Sequence, residues 1–210
     1  MSALTARDVA VVRQVAGLLL QYPDEALRRD LPILRTAVGG LPAPVGGPLA
    51  GLLDHLARTP DDVLTADFVA TFDLSRRHAL HLTYFTHGDT RKRGLALLRI
   101  KQTYRRFGYV LDDTELPDHL SVMLEFAATV DAAAGTRLLL EHRAGLELLG
   151  LALTDAGSPY AAAVAAVSAT LPPLHGSVRE AVARLAAEGP PGEEVGLDPF
   201  VPPEVSGARR

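Results

Sequence analysis

Apolar residues in this chain recur at the three-to-four spacing of an α-helix, and Pro and Gly interrupt that rhythm at short intervals. That combination leaves little choice beyond a packed set of helices. Val9, Val12, Ala16, Leu19 and Leu20 lie near one stripe and predict a first helix over about 5–21. Tyr22-Pro23-Asp24 breaks it, and a second helix is expected over about 25–38. The Gly- and Pro-rich stretch 39–48 reads as a loop, followed by a short helix to Arg58. Thr59-Pro60-Asp61-Asp62 reads as an N-cap, a Pro at the first helical position and a first-turn acid. The helix it opens carries Val63, Phe68 and Phe72.

A bend is expected near His87-Gly88-Asp89, with Asp89 or Thr90 capping a helix to about Phe107, where Gly108 stops it. Pro117 is expected to begin another helix, with Asp118 in its first turn and Leu120, Met123, Leu124 and Ala127 inward. Further helices are predicted over about 134–153, 159–170 and 176–187. Nothing alternates with strand period over a convincing length, and no repeat of fixed period is present. The predicted fold class is therefore all-α, a single-domain helical bundle over 1–188 with a Pro/Gly-rich extended or disordered tail over 189–210.

At 210 residues, 48% of them hydrophobic, the chain can bury one substantial core, and with 5% aromatics and no Trp the packing falls to Leu, Ala and Val. The absence of cysteine excludes disulfides, thiolate metal sites and Cys nucleophiles. The first residues lack the basic-then-apolar pattern of a signal peptide, and the longest apolar runs, such as 161–167, are far too short to span a bilayer. A cytoplasmic protein without membrane insertion is expected.

Charge is unevenly distributed. Residues 1–75 carry 6 basic and 9 acidic side chains, 76–110 carry 9 basic against Asp89 alone, and 111–200 carry 4 basic and 14 acidic. Such a split places opposite charges on two surfaces or lets two parts of the fold attract each other.

The densest chemistry lies in 72–94. His78 and His81 are spaced to share a helical face, with His87 six residues on, and Asp73 or Asp89 could complete a metal site in principle. No HExxH or ExxH pattern frames them, so the expected role is hydrogen bonding that shapes a bend, and no metal is expected. Arg76, Arg77, Arg91, Lys92, Arg93, Arg99, Lys101, Arg105 and Arg106, interleaved with Tyr84, Phe85 and Tyr104, are candidates for phosphate contact. With a pI of about 6.0, no nucleic-acid module and no phosphate-loop glycine pattern, nucleic acid is not expected, and pairing with the acidic 111–131 region is the plainer reading. Ser75 with His78 or His81 and Asp73 has triad residue types without the strained turn a nucleophile needs. Glu115, Asp118 and His119 read as caps and dipole partners. No catalytic residue and no enzyme are expected; a binding module remains.

The strings Phe68-Val69-Ala70-Thr71-Phe72-Asp73, Arg76-Arg77-His78-Ala79-Leu80-His81-Leu82-Thr83-Tyr84, His87-Gly88-Asp89-Thr90-Arg91-Lys92-Arg93-Gly94 and Glu115-Leu116-Pro117-Asp118-His119-Leu120 closely resemble the NarJ type of nitrate reductase assembly chaperone. Leu124-Glu125-Phe126-Ala127 and the late Val195-Gly196-Leu197-Asp198-Pro199-Phe200 add to the likeness, which is good over 8–130, thins through 131–190 and returns at the end. Glu-Leu-Pro-Asp-His stands where the wider TorD/DmsD group of redox-enzyme maturation proteins has Glu-Pro-x-Asp-His. The resemblance implies a TorD-like helical fold. It implies a chaperone that binds the N-terminal segment of the nitrate reductase α subunit, keeps the apoenzyme open for insertion of molybdopterin guanine dinucleotide, and prevents premature membrane docking. No permanently bound cofactor is implied, only transient contact during insertion.

On that reading Phe72, Leu82, Tyr84, Phe85, Leu116 and Leu120 could floor a groove for an amphipathic client helix, with Glu115, Asp118 and Glu125 favouring basic client residues and His119 beside them. His78, His81, His87 and His119 could make binding sensitive near neutral pH. Arg76, Arg77, His87, Arg91 and Arg93 are the candidates for cofactor phosphate. The alternative reading is a helical protein that binds a phosphate-rich cofactor or nucleotide through the basic 76–106 segment. A monomer or weak homodimer is expected.

Overall fold

Thr5 and Asp8 start the first helix by capping each other. The Thr5 hydroxyl accepts from the Asp8 amide at 3.1 Å, and the Asp8 carboxylate accepts from the Thr5 amide at 2.9 Å. From there α1 (Ala6–Leu19) buries Val12, Val15, Ala16 and Leu19 along one stripe. The computed structural model describes residues 4–112 and 114–188. Among them α1 is the central rod, packed against α2 (Glu25–Gly39), α7 (Leu120–Glu125) and α10 (Ala161–Ala169). Around it run α3 (Ala43–Arg58), α4 (Asp61–Phe68), α5 (Leu82–His87), α6 (Arg91–Arg106), α8 (Ala132–Glu141), α9 (Arg143–Asp155) and α11 (Gly176–Glu188). No strand is present among the described residues, and the fold is all-α. The tail over 189–210, with its Val195–Phe200 string, lies outside the described residues, as does the domain boundary drawn before it.

The stretch expected to be a loop over 39–48 is one only in its first part. α3 begins at Ala43, carries Pro44 in its first turn and tolerates Pro48 inside. The apolar series Val45, Leu49, Leu52, Leu53 and Leu56 buries a continuous face against α2 and α10, and that burial outweighs the poor local propensity. In the next element Pro60 is the cap residue and the helix opens at Asp61, one residue later than expected; Val63 faces solvent. The predicted helix over 134–153 is two helices, divided at His142.

Two helices end in wide turns. α4 passes into a π-turn over Val69–Asp73, and α7 into another over Phe126–Val130. The first swings Phe72 and Asp73 round beside Phe68, whose ring lies 4.7 Å from that of Phe72.

The histidine-rich segment is not a continuous helix. A 3-10 turn covers Arg76–His78, extended backbone follows, and α5 begins only at Leu82. His78 and His81 therefore share no helical face. His78 instead places its ring nitrogens 2.9 Å from the Thr71 carbonyl and 3.3 Å from that of Ala152, which shapes the bend. The predicted turn after α5 is present: Gly88 has φ +56°, open to glycine without strain. Gly145 in α9 serves a different need, since a Cβ there would sit 2.8 Å from the Leu82 carbonyl; the missing side chain lets α9 support the start of α5.

Candidate functional site

Two short extended segments meet as an antiparallel bridge at His81 and His119. The Leu82 amide donates to the Asp118 carbonyl at 3.1 Å, and the Leu120 amide donates to the Leu80 carbonyl at 2.8 Å. This bridge replaces the helix start expected at Pro117. α7 begins at Leu120 instead, with His119 as its cap residue accepting from the Ser121 amide through Nδ1 at 3.3 Å. The buried Tyr104 hydroxyl donates to the Pro117 carbonyl at 2.8 Å and fixes this segment from below.

Asp118 is consequently turned inward and fully buried. Its carboxylate accepts from the Thr83 hydroxyl, from the Thr83 amide at 3.3 Å and from His81 Nδ1 at 3.3 Å. Arg93 Nη2 approaches it to 3.6 Å, while Arg93 also donates through Nε to Thr83 and through Nη1 to Asp89 at 3.1 Å. Burial pushes the Asp118 carboxyl up, but the hydrogen bonds from His81 and Thr83, with the charges of His81 and Arg93, more than offset it and hold it below the ordinary carboxylate range. This group ties α5 and α6 to the loop before α7.

The same bridge forms one wall of an open cleft of about 490 Å³. Phe68 and Phe72 make its floor with Leu80 and Val122; Tyr22 stands half-exposed at the edge, its ring 5.7 Å from Phe68. Tyr160 backs the floor at 5.1 Å from Phe72. Asp73, Glu115, His81 and His119 supply the polar rim. Burial depresses the His119 pKa; Glu115 pulls it up, His81 adds to the depression and Asp118 opposes it, leaving the ring below the ordinary value. Chemically this is a mixed cleft, apolar at its floor and polar around its rim with two carboxylates, suited to a chain with an apolar side and a positive group.

The structure gathers some of the expected residues and separates others. Phe72, Glu115 and His119 line this cleft. Asp118, expected among the binding residues, does not face the cleft; it is sealed beneath the bridge, a correction that follows from the bridge geometry. Leu82 and Leu120, expected in the groove floor, are fully buried core residues. Tyr84 is buried beside a small cleft of about 170 Å³, with the Arg93 guanidinium 6.0 Å from its ring centre. Phe85 is buried at the wall of a third cleft of about 300 Å³, between α9 and α11, rimmed by Arg76 and Arg77. Leu116 is exposed on the loop, and Glu125 borders a further small hollow with Gln14 and Gln21. Of the basic candidates, Arg93 is engaged with Asp118, Asp89 and Thr83, Arg91 is exposed on α6, and burial with nearby Lys92 and Arg99 lowers the His87 pKa. They form no single phosphate cradle. Among the described residues no cluster of three metal-ligating side chains comes together.

Sequence reading missed Tyr22, Gln21 and Phe68 as cleft residues. Tyr22-Pro23 marked only a helix break, and nothing in the spacing brings residue 22 against residue 68.

A family model described as the nitrate reductase delta subunit matches residues 39–166. The chain belongs to this family. Within the delta subunit family match lie Phe68, Phe72, Glu115, His119 and the Asp118 group, whereas Gln21 and Tyr22 precede it. The nitrate reductase-like protein NarX of Mycobacterium tuberculosis is 42% identical over 160 residues, 76% of this chain, and the chain spans only 24% of that relative's length. NarJ of Bacillus subtilis is 30% identical over 176 residues, 83% of this chain and 95% of the relative. The nitrate reductase molybdenum cofactor assembly chaperone NarJ of Escherichia coli K12 is 30% identical over 150 residues, 70% of this chain and 64% of the relative. The crystal structure of a redox enzyme maturation protein from Archaeoglobus fulgidus shares the delta subunit fold seen here, with a TM-score of 0.56 at 24% identity over 80% of this chain and 95% of that one.

Proposed function

We propose that this chain is an assembly chaperone for a nitrate reductase, a binding protein and not a catalyst. On this reading it holds the N-terminal segment of the catalytic α subunit in the Phe68–Phe72 cleft. Occupancy keeps the apoenzyme open for insertion of molybdopterin guanine dinucleotide and delays docking at the membrane. Membership of the delta subunit family and the names of its NarJ relatives support the chaperone role. The observation that carries the binding mode is the cleft itself: a space of about 490 Å³ with Phe68 and Phe72 at its floor, lipped by Asp73 and Glu115. An amphipathic client helix would lay its apolar side on Phe68 and Phe72 and its basic side against the carboxylates. Ordering the client offsets part of the gain, so affinity of roughly micromolar to nanomolar is expected and release stays possible.

Calorimetric titration with the α-subunit N-terminal peptide tests this. Saturable binding, weakened about tenfold by combined Asp73→Lys and Glu115→Lys, is the expected result. No heat at peptide concentrations of tens of micromolar would sink it. We infer that transient cofactor contact falls to Arg76 and Arg77, which rim the cleft of about 300 Å³ between α9 and α11. Their replacement by Gln would then slow cofactor loading while leaving peptide affinity intact.

A further inference from the structure

The outer face of α6 has no part in the cleft. The helix runs Arg91–Arg106 without an Asp or Glu, and its inner row, Ala96, Ile100 and Tyr104, is buried. Directly opposite, at helical spacing, stand Arg91, Leu95, Leu98, Gln102 and Arg105, all exposed, with Lys92, Arg99 and Arg106 flanking them. Leu95 is 59% exposed and Leu98 49%. They sit in the middle of the solvent face, where simple solvation favours polar side chains. No ion pair among the described residues reaches Arg91, Lys92, Arg99, Arg105 or Arg106. Burial first, and then the charges of Lys92 and Arg99, lower the His87 pKa.

We propose that α6 docks the protein on an anionic lipid surface. The helix, about 24 Å long, lies in the plane of the headgroups; Leu95 and Leu98 enter the acyl boundary, and Arg91, Lys92, Arg99, Arg105 and Arg106 face anionic headgroups. Its charges are spread along the whole helix, from Arg91 to Arg106, as a flat charged surface requires. Nucleic-acid phosphates would leave the two leucines without a counterpart. A protein partner of ordinary interface size would need an apolar centre wider than two leucines. Two half-exposed leucines anchor weakly on their own, so binding is reversible and depends on the cations.

The test is co-sedimentation of the full chain with vesicles of phosphatidylcholine mixed with phosphatidylglycerol, and with phosphatidylcholine alone. Binding to the mixed vesicles only, abolished at high salt, is expected. Arg99→Gln with Arg105→Gln should lower partition by about 25-fold, roughly fivefold per cation. Leu95→Ser with Leu98→Ser should lower it about tenfold. Unchanged helicity and unchanged client-peptide affinity in both variants separate this surface from the cleft. No partition into mixed vesicles, or equal partition into both kinds, overturns the proposal. So does a leucine variant that binds as well as the parent, which would show simple polyanion attraction and point to an acidic protein or a nucleic acid.

Discussion

Arg93 Nη2 lies 3.6 Å from the fully buried carboxylate of Asp118, joining the basic stretch of the chain to the acidic one that follows it. The charge asymmetry along the sequence is thus realised in part as an internal ion pair. Its partner bonds from Thr83 and His81 make it a closed group whose members depend on each other.

Asp118→Ala leaves the Thr83 hydroxyl and amide without their acceptor in a buried site and leaves Arg93 with Asp89 as its one carboxylate among the described residues. Removing one partner of such a group costs about 3 kcal/mol. Urea unfolding should show the loss as a lower midpoint at unchanged slope, with Asp118→Asn falling between the variant and the parent.

Stability should fall as pH drops from about 7.5 to 5.5. His119 and His142 are both held below the ordinary histidine value, by burial first of all. The unfolded chain therefore takes up protons near pH 6.5 that the folded chain refuses, so their contribution is complete above that value and is lost as pH falls toward the folded pKa. Asp118, also depressed, contributes constantly in this window and loses its contribution only below the ordinary carboxylate value. Unfolding midpoints at the two pH values measure the slope, and His142→Gln should flatten it.

Tyr104→Phe removes the hydroxyl that reaches the Pro117 carbonyl inside the fold. A buried carbonyl left unpaired costs about 1–3 kcal/mol. Because Pro117 lies between Glu115 and His119, the peptide should also bind less tightly than to the parent; equal affinity would show that the cleft wall does not depend on this bond.

Tyr22→Ala should act on binding and leave folding nearly unchanged. The ring lines the cleft and is 53% exposed, so a bound peptide can bury it as an aromatic anchor. A loss of about tenfold in peptide affinity is expected by calorimetry, with the unfolding midpoint close to that of the parent. A large drop in stability with affinity retained would place Tyr22 in the core and not in the site.

The recurrence of Val12, Ala16, Leu19 and Leu20, the acids and threonines that cap helices, and the glycine after His87 determined the all-α class and most helix positions by local physics alone. Short-range rules read well where a residue's partners lie within one turn. They failed at 43–48, where burial against α2 and α10 outweighs Pro and Gly. They failed again at 117–120, where a bridge to His81 replaces a helix start. Residue types also singled out the 72–94 and 115–120 segments, and Phe72, Glu115 and His119 do meet in the cleft. Only the tertiary structure decided that Asp118 turns inward, that Leu82 and Leu120 belong to the core, and that Tyr22 joins Phe68 at the cleft edge. Each of those outcomes depends on chain segments tens of residues apart, and no spacing along the sequence encodes a contact of that range.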